Sequence, residues 1–137
     1  MVLAYKGETG AVKALLAQGV DVNARDERGG TALMQAAVAG KTEVVKLLLE
    51  RGADANAQSD GGNTALIAAA SGGRMEILRM LLDAGADPLI RNKSGQTAAV
   101  KAAFSKQSEA VVLLKTAEVA KEKEESAGEG ETEGQAD

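Results

Sequence analysis

The chain has 137 residues with one Pro, one Tyr and one Phe, and it contains no Trp, Cys or His. Its core must therefore be built from Leu, Val, Ile, Met and Ala, and the missing His and Cys exclude disulfides, most catalytic triads and nearly all zinc sites. The formal charge of −4 is uneven, because residues 116–137 carry eight acidic and two basic groups while residues 1–115 are mildly basic.

The first 25 residues are predicted to form an incomplete unit. The string MVLAYKG indicates the end of one helix, and a second helix is expected at about 9–18. Either the chain is part of a longer array or its start is atypical, and in both cases Val2 and Leu3 should be poorly covered. No apolar stretch approaches about 18 residues, and MVLAYKGETG lacks the features of a secretory signal. These features predict a cytoplasmic protein that does not enter a membrane.

Residues 26–58 have the pattern of one complete unit. The DERGG string is typical of a turn, and Thr31 is typical of a helix N-cap. The helix ALMQAAVA is expected to end at Gly40, because a glycine there can adopt the left-handed conformation of a helix C-terminus. The unit therefore starts as a turn followed by a short helix.

The second helix of this unit is predicted from about Thr42 to Arg51, with Thr42 as its cap. Its apolar residues recur at helical spacing and form one stripe. The stripe consists of Val44, Val45, Leu48 and Leu49. Two helices of this length are too short to be stable alone, so the stripe must pack on neighbouring units.

The unit recurs every 33 residues. The strings TALMQAA, TALIAAA and TAAVKAA begin at Thr31, Thr64 and Thr97. Further units are predicted at residues 59–91 and 92–115, and the last one is more polar. Such a period indicates a stacked array in which each unit buries its apolar face against a neighbour. Asp54 and Asp87 recur with the same period, which favours a structural role in the loops between units.

Residues 116–137 are predicted to be an acidic tail. Helix propensity favours a helical extension at first, and the Gly- and Glu-rich composition beyond Ala127 predicts disorder. The tail is interpreted as a solubilising segment, with the alternative that it folds back on the basic part of the chain and competes with a ligand.

The period, the T-x-L helix start, the paired alanines and the L-L-x-x-G-A-D-x-N-A string together resemble the ankyrin repeat over residues 3–115. The chain departs from the family's T-P-L-H pattern, with Ala in place of Pro and apolar residues in place of His. The resemblance implies an all-α ankyrin-repeat solenoid of about three to four stacked helix-turn-helix units. It also implies a non-catalytic module that binds a partner protein through its turn tips and the concave face of its first helices.

The register of that resemblance predicts the partner-binding residues. They belong either to the turns or to the inner side of the first helices. The predicted residues are Tyr5, Lys6, Arg25, Glu27, Arg28, Val38, Gln58, Asp60, Asn63, Ser71, Arg91, Lys93, Gln96 and Phe104.

Two predictions concern the chemistry of that surface. Tyr5 and Phe104 lie three periods apart and are expected to be apolar anchors, with the alternative that each covers an exposed end of the core. The cations Arg25, Arg28, Arg91 and Lys93 favour a partner with an acidic patch, unless they are ordinary solvated turn charges.

Other function classes find little support. The chain lacks a dense basic stripe and a stacking platform for nucleic acid, and Asp60-Gly61-Gly62-Asn63 has neither calcium-loop nor phosphate-loop spacing. We expect a monomer without cofactor, metal or catalytic residues. A regulatory fragment of a larger enzyme or channel, and a structural or engineered scaffold, remain alternatives.

Overall fold

The computed structural model describes the backbone of residues 2–136 and the side chains of residues 2–126. These residues form eight helices that pair in chain order as four helical hairpins. The helices are α1 (Val2–Lys6), α2 (Thr9–Ala17), α3 (Ala32–Ala39), α4 (Thr42–Glu50), α5 (Ala65–Ser71), α6 (Met75–Asp83), α7 (Ala98–Phe104) and α8 (Ser108–Ala136).

The four hairpins stack in sequence order. The first helices of the hairpins (α1, α3, α5 and α7, here the inner helices) pack side by side, and so do the second ones (α2, α4, α6 and α8, the outer helices). The inner helices contact each other more extensively than the outer helices do. The inner side is therefore the concave side of the stack, and the predicted all-α solenoid of about four units is confirmed.

The threonine caps follow the prediction. The hydroxyl oxygen of Thr31 accepts a hydrogen bond from the backbone N–H of Met34 at 3.3 Å, and Thr64 and Thr97 cap α5 and α7 in the same way. Gly40 has φ 73° and ends α3, as expected. The helix starts are therefore fixed by local sequence.

The prediction that Thr42 caps α4 is wrong. Lys41 occupies the N-cap position without a side-chain cap, and Thr42 is the first residue inside the helix. The backbone N–H of Lys41 donates to the carbonyl oxygen of Ala36 at 2.9 Å. Because this bond closes a very short loop, α4 begins directly after Lys41.

The core lies between the inner and outer helices of consecutive units. The paired alanines Ala36 and Ala37 are fully buried, as are Leu48 and Leu81. The apolar stripe of α4 differs in one position from the prediction. Leu47 is buried and Leu49 is only partly buried, because Leu47 lies three residues after Val44 and shares its face.

Asparagine side chains link the loops that follow the outer helices. The side-chain oxygen of Asn23 accepts from the backbone N–H of Asp54 at 2.7 Å, and Asn56 bonds Asp87 in the same way. The Asp54 and Asp87 carboxylates accept from the backbone two residues on. The predicted structural role of both aspartates is confirmed. Leu89 takes the third asparagine position, where α8 continues and no loop follows.

Helix α8 is longer than the other outer helices. Leu114 and Glu118 are buried against the stack, and Glu118 forms an ion pair of 3.1 Å with Lys115. The helix continues to Ala136, past the point at Ala127 where composition predicts the loss of order. The side chains beyond residue 126 lie outside the described part, so the predicted division of the tail stays a prediction, as do the unit boundaries.

Candidate functional site

Three turns project beside the inner helices, one before each of α3, α5 and α7. They are called tip 1 (residues 26–30), tip 2 (59–63) and tip 3 (92–96). Each tip is closed by a backbone hydrogen bond between its first and last residues, at 2.9 Å in tips 1 and 2 and 3.0 Å in tip 3. Glycines with positive φ supply the reversal of chain direction.

Consecutive tips are bonded to each other. The backbone N–H of Asp60 donates to the carbonyl oxygen of Arg28 at 2.9 Å, and the N–H of Lys93 donates to Gly61 at 3.0 Å. The predicted site residues Asp60 and Lys93 therefore connect the tips through their backbone while their side chains stay exposed. The tips form one row rather than three independent loops.

Three predicted site residues brace the tips from below. Arg25 donates from its guanidinium to the carbonyl oxygens of Gly29 (3.2 Å) and Gln58. Gln58 donates from its amide to Gly62 at 2.9 Å and to the carbonyl oxygen of Arg91 at 3.3 Å. Arg91 braces tip 3 as Arg25 braces tip 1, at 2.9 Å. All three side chains thus donate hydrogen bonds to backbone carbonyl oxygens of the protein itself.

Asp26, which sequence reasoning passed over, organises tip 1. One of its carboxylate oxygens accepts from the backbone N–H groups of Gly30 (2.8 Å) and Arg28 (2.9 Å). These two bonds, that of Gly30 above all, hold the pKa of Asp26 below its ordinary value of 3.8. Asp26 therefore adds a third ionised carboxylate to the tips.

Asn92 plays the same part in tip 3. Its side-chain oxygen accepts from the backbone of Ser94 and Gln96, each at 3.0 Å, and its amide donates to the side-chain oxygens of Asn63 (2.9 Å) and Gln96 (3.3 Å). The predicted site residues Asn63 and Gln96 are thus joined through a residue that was not predicted. Glu27 and Arg28 remain exposed at tip 1.

One row of side chains crosses the inner helices. It consists of Tyr5, Val38, Ser71 and Phe104, which occupy the same position in four consecutive units and are here called the inner row. Tyr5 is 54% exposed and Phe104 74% exposed; Ser71 is partly buried. Lys6, the remaining predicted site residue, is exposed next to Tyr5. Both aromatic side chains therefore expose more than half of their surface to solvent.

A groove of about 440 Å³ lies where tips 1 and 2 meet the inner helices. Met34 and Val38 form part of its floor, and Asp26, Arg28 and Asp60 form part of its rim. Gln35 and Ala68 also line it, although neither was predicted. Each lies three residues before a member of the inner row, so helical spacing could have identified both.

Among the residues described, no group of three or more Asp or Glu side chains is arranged to hold a metal ion. No helix in the described part is long and apolar enough to cross a membrane.

Comparison with known proteins agrees with this geometry. The family described as Ankyrin repeats (3 copies) matches residues 1–92 and, in a second match, residues 54–125. The chain belongs to the ankyrin-repeat family. Such repeats are typically non-catalytic and generally serve protein–protein interaction. A search of the curated proteins found no match.

Proposed function

We propose that the chain binds a partner protein in the groove between the tips and the inner helices. The observation that carries the proposal is the inner row. Tyr5, Val38 and Phe104 leave apolar side chains exposed on three inner helices, and Val38 lines the groove directly. Adjacent packed helices lie about 8–10 Å apart, so Tyr5 and Phe104 flank a surface of roughly 24–30 Å. A partner segment of that length would meet an aromatic anchor at each end.

The charge around the groove favours a partner with some carboxylates. Four cations lie in the tips or directly before them: Arg28 and Lys93 are within the tips, and Arg25 and Arg91 brace them. The tips also carry three carboxylates, Asp26, Glu27 and Asp60, so the positive excess of this region is smaller than the sequence analysis indicated. Lys6 and Lys101 on the inner helices add to it. Such charges steer encounter and select among partners more than they raise affinity.

Rigidity is the mechanism by which such a surface would bind. Backbone bonds between tips and side-chain braces beneath them fix the rim before a partner arrives. A preformed surface loses little conformational entropy on binding, so more of the contact energy becomes affinity. The cytoplasmic location expected from the sequence is compatible with this function and stays a prediction.

The experiment is a comparative affinity capture. The tagged wild-type chain, a Tyr5→Ala/Phe104→Ala variant and a Val112→Ala/Val119→Ala variant are incubated with the same cell extract, and bound proteins are quantified by mass spectrometry. Val112 and Val119 are matched controls, because both are exposed apolar residues on the outer helix α8. We expect a partner that the control retains and the inner-row variant loses.

Thermal melting of the three proteins separates binding from folding. Because the inner-row side chains are exposed, the inner-row variant should melt within a few degrees of wild type. A partner that all three proteins retain equally would contradict the proposed surface. A large loss of melting temperature would instead favour the alternative that Tyr5 and Phe104 cover the ends of the core.

A further inference from the structure

The side of the first unit that faces away from the stack, here called the N-end face, has apolar side chains that the other described residues do not cover. Leu15 is 38% exposed, whereas Leu48, at the same position one unit later, is 1% exposed. Ala11 is exposed, whereas its equivalent Val44 is buried. Leu15 also lines an apolar cavity of about 100 Å³, which it shares with Ala32 and Leu48 of the second unit. In later units the same positions are covered by the preceding hairpin.

The opposite side of the fourth unit, here called the C-end face, is also open. Ala103 is exposed, whereas its equivalents Ala37 and Ala70 are fully buried by the hairpin that follows them. Val111 is partly buried, while its equivalent Val45 is completely buried. At these two positions the C-end face therefore presents the residue types that cover an N-side face at the internal junctions, while Lys115 takes the position of Leu49 and Leu82. The two ends of the chain are complementary in the register of the repeat.

One side-chain contact recurs at the internal junctions, at the loop between inner and outer helix. Lys41 lies directly over Gly7 of the preceding unit, because a methyl group added to Gly7 would be 2.8 Å from Lys41 Cδ. Arg74 lies over Gly40 in the same way, with its Cζ 2.8 Å from the added methyl. Each unit thus places one side chain on the loop of its predecessor.

In the first and the fourth unit, these two positions carry residues of opposite charge. The loop glycine is replaced by Lys106 in the fourth unit, and the covering residue is Glu8 in the first unit. Both side chains are exposed. If the C-end face of one copy received the N-end face of another, Glu8 would lie over Lys106. Opposite charges would then meet at the one junction where glycine is absent.

The long helix α8 leaves this contact accessible. Lys106 lies in the loop before α8 and Val111 lies in the first turn of that helix, whereas the extension past the length of the other outer helices begins at about residue 117. At 1.5 Å per residue, that is roughly 14 Å along the helix from its first residue, Ser108. The extension of α8 therefore begins at the end of the junction that is distant from Lys106.

We infer that the chain associates with second copies of itself head to tail, the N-end face of one copy on the C-end face of the next. The contact continues the internal stacking, with Ala103 and Val111 covering Ala11 and Leu15, and Glu8 pairing with Lys106. This interface joins two different surfaces and leaves one of each free, so it extends the stack rather than closing it. It is independent of the concave groove and opposes the sequence-based expectation of a monomer.

Sedimentation of the full chain over a wide concentration range tests the inference. The average mass should rise with concentration without reaching a plateau at the dimer. Ala11→Glu on the N-end face and Ala103→Lys on the C-end face should each weaken association at least about tenfold, because each places a charge in an apolar contact. Neither should harm folding, since each charge suits the dipole of its helix end. Val112→Lys is the matched control, because Val112 is exposed and its equivalents are Lys46 and Arg79.

Two combinations make the test specific for the head-to-tail arrangement. An equal mixture of the Ala11→Glu and Ala103→Lys chains retains one intact face of each kind, so it should associate more strongly than either variant alone. Glu8→Lys and Lys106→Glu should each weaken association, and the chain carrying both should regain it. A chain that stays monomeric at all concentrations would overturn the inference. A second pattern would also overturn it. If Ala11→Glu abolishes association while Ala103→Lys and Lys106→Glu leave it unchanged, two N-end faces pair with each other.

Discussion

The glycines of the tips offer a direct measure of how strongly consecutive tips depend on each other. Gly62 in tip 2 and Gly95 in tip 3 have nearly the same φ, 79° and 77°. Around Gly95 an added methyl group would meet no atom within 4 Å. At Gly62 it would lie 2.9 Å from the backbone nitrogen of Lys93 and 3.0 Å from Cα of Asn92. The two residues share a conformation and differ in whether another tip lies against them.

Alanine at Gly95 should therefore cost only the conformational term. A left-handed alanine loses about 1–2 kcal/mol, and the stiffer unfolded chain offsets about 0.4–1 kcal/mol of this. We expect Gly95→Ala to lower the free energy of unfolding by about 1 kcal/mol. At Gly62 the methyl group must also displace tip 3 and the bond from Lys93 to Gly61, which adds about 1–2 kcal/mol. Gly62→Ala should then cost about 2–3 kcal/mol.

Urea unfolding followed by circular dichroism measures both losses against wild type. Gly95→Ala serves as the control for Gly62→Ala, because backbone conformation and side chain are the same. If the two variants lose equal stability, within about 0.5 kcal/mol, the close packing of tip 3 on tip 2 does not contribute to stability. The description of the tips as one connected row would then be refuted.

Three further predictions follow from burial and from hydrogen bonds. Leu81→Ala should lower the free energy of unfolding by about 2–5 kcal/mol in urea titration, and Leu15→Ala by only about 1 kcal/mol; equal losses would contradict the open N-end face. Asp26 has a lowered pKa, so its stabilisation is complete above pH 3.8 and is lost as the pH falls below that value. Melting temperatures of Asp26→Asn should fall less steeply in acid than those of wild type, since Asn92 makes the same bonds uncharged; parallel curves would argue against this. Oε1 of Glu118 is buried without a hydrogen-bond partner among the described residues. Glu118→Leu should therefore raise the free energy of unfolding by about 1 kcal/mol. A decrease would show that the ion pair with Lys115 stabilises the fold by more than the burial of this oxygen costs.

The sequence predicted the stack because the signals for it are local and repeated. A threonine before an apolar run determines its own hydrogen bond to the third residue on, and Thr31 shows this without reference to any neighbour. Thr42 looked equally suitable as a cap. Its failure depends on how tightly the preceding loop closes through the bond from Lys41 to Ala36. That geometry is set by the packing of two helices, so the cap residue alone could not reveal it.

The candidate site was predicted as a surface and not as a set of contacts. Exposure of Tyr5 and Phe104 follows from the helical period, which the sequence displays. The bracing role of Arg25 does not, because one of its acceptors is the carbonyl oxygen of Gln58, 33 residues away. The repeat register nevertheless indicates this bracing role. Arg25, Gln58 and Arg91 occupy one position of the repeat with long polar side chains, as a shared structural task requires.

This difference decides which residues can report on binding. Removing Arg25 or Arg91 would withdraw a brace from a tip, and because the tips are bonded to each other the change would extend to the neighbouring tip. A lost interaction in such a variant would follow equally from a missing contact and from a displaced rim. Phe104 is 74% exposed, so we expect its removal to alter the surface and to leave the scaffold intact. Binding and stability are thus separable in the inner row and coupled in the tips, and variants of Tyr5 and Phe104 give the interpretable result.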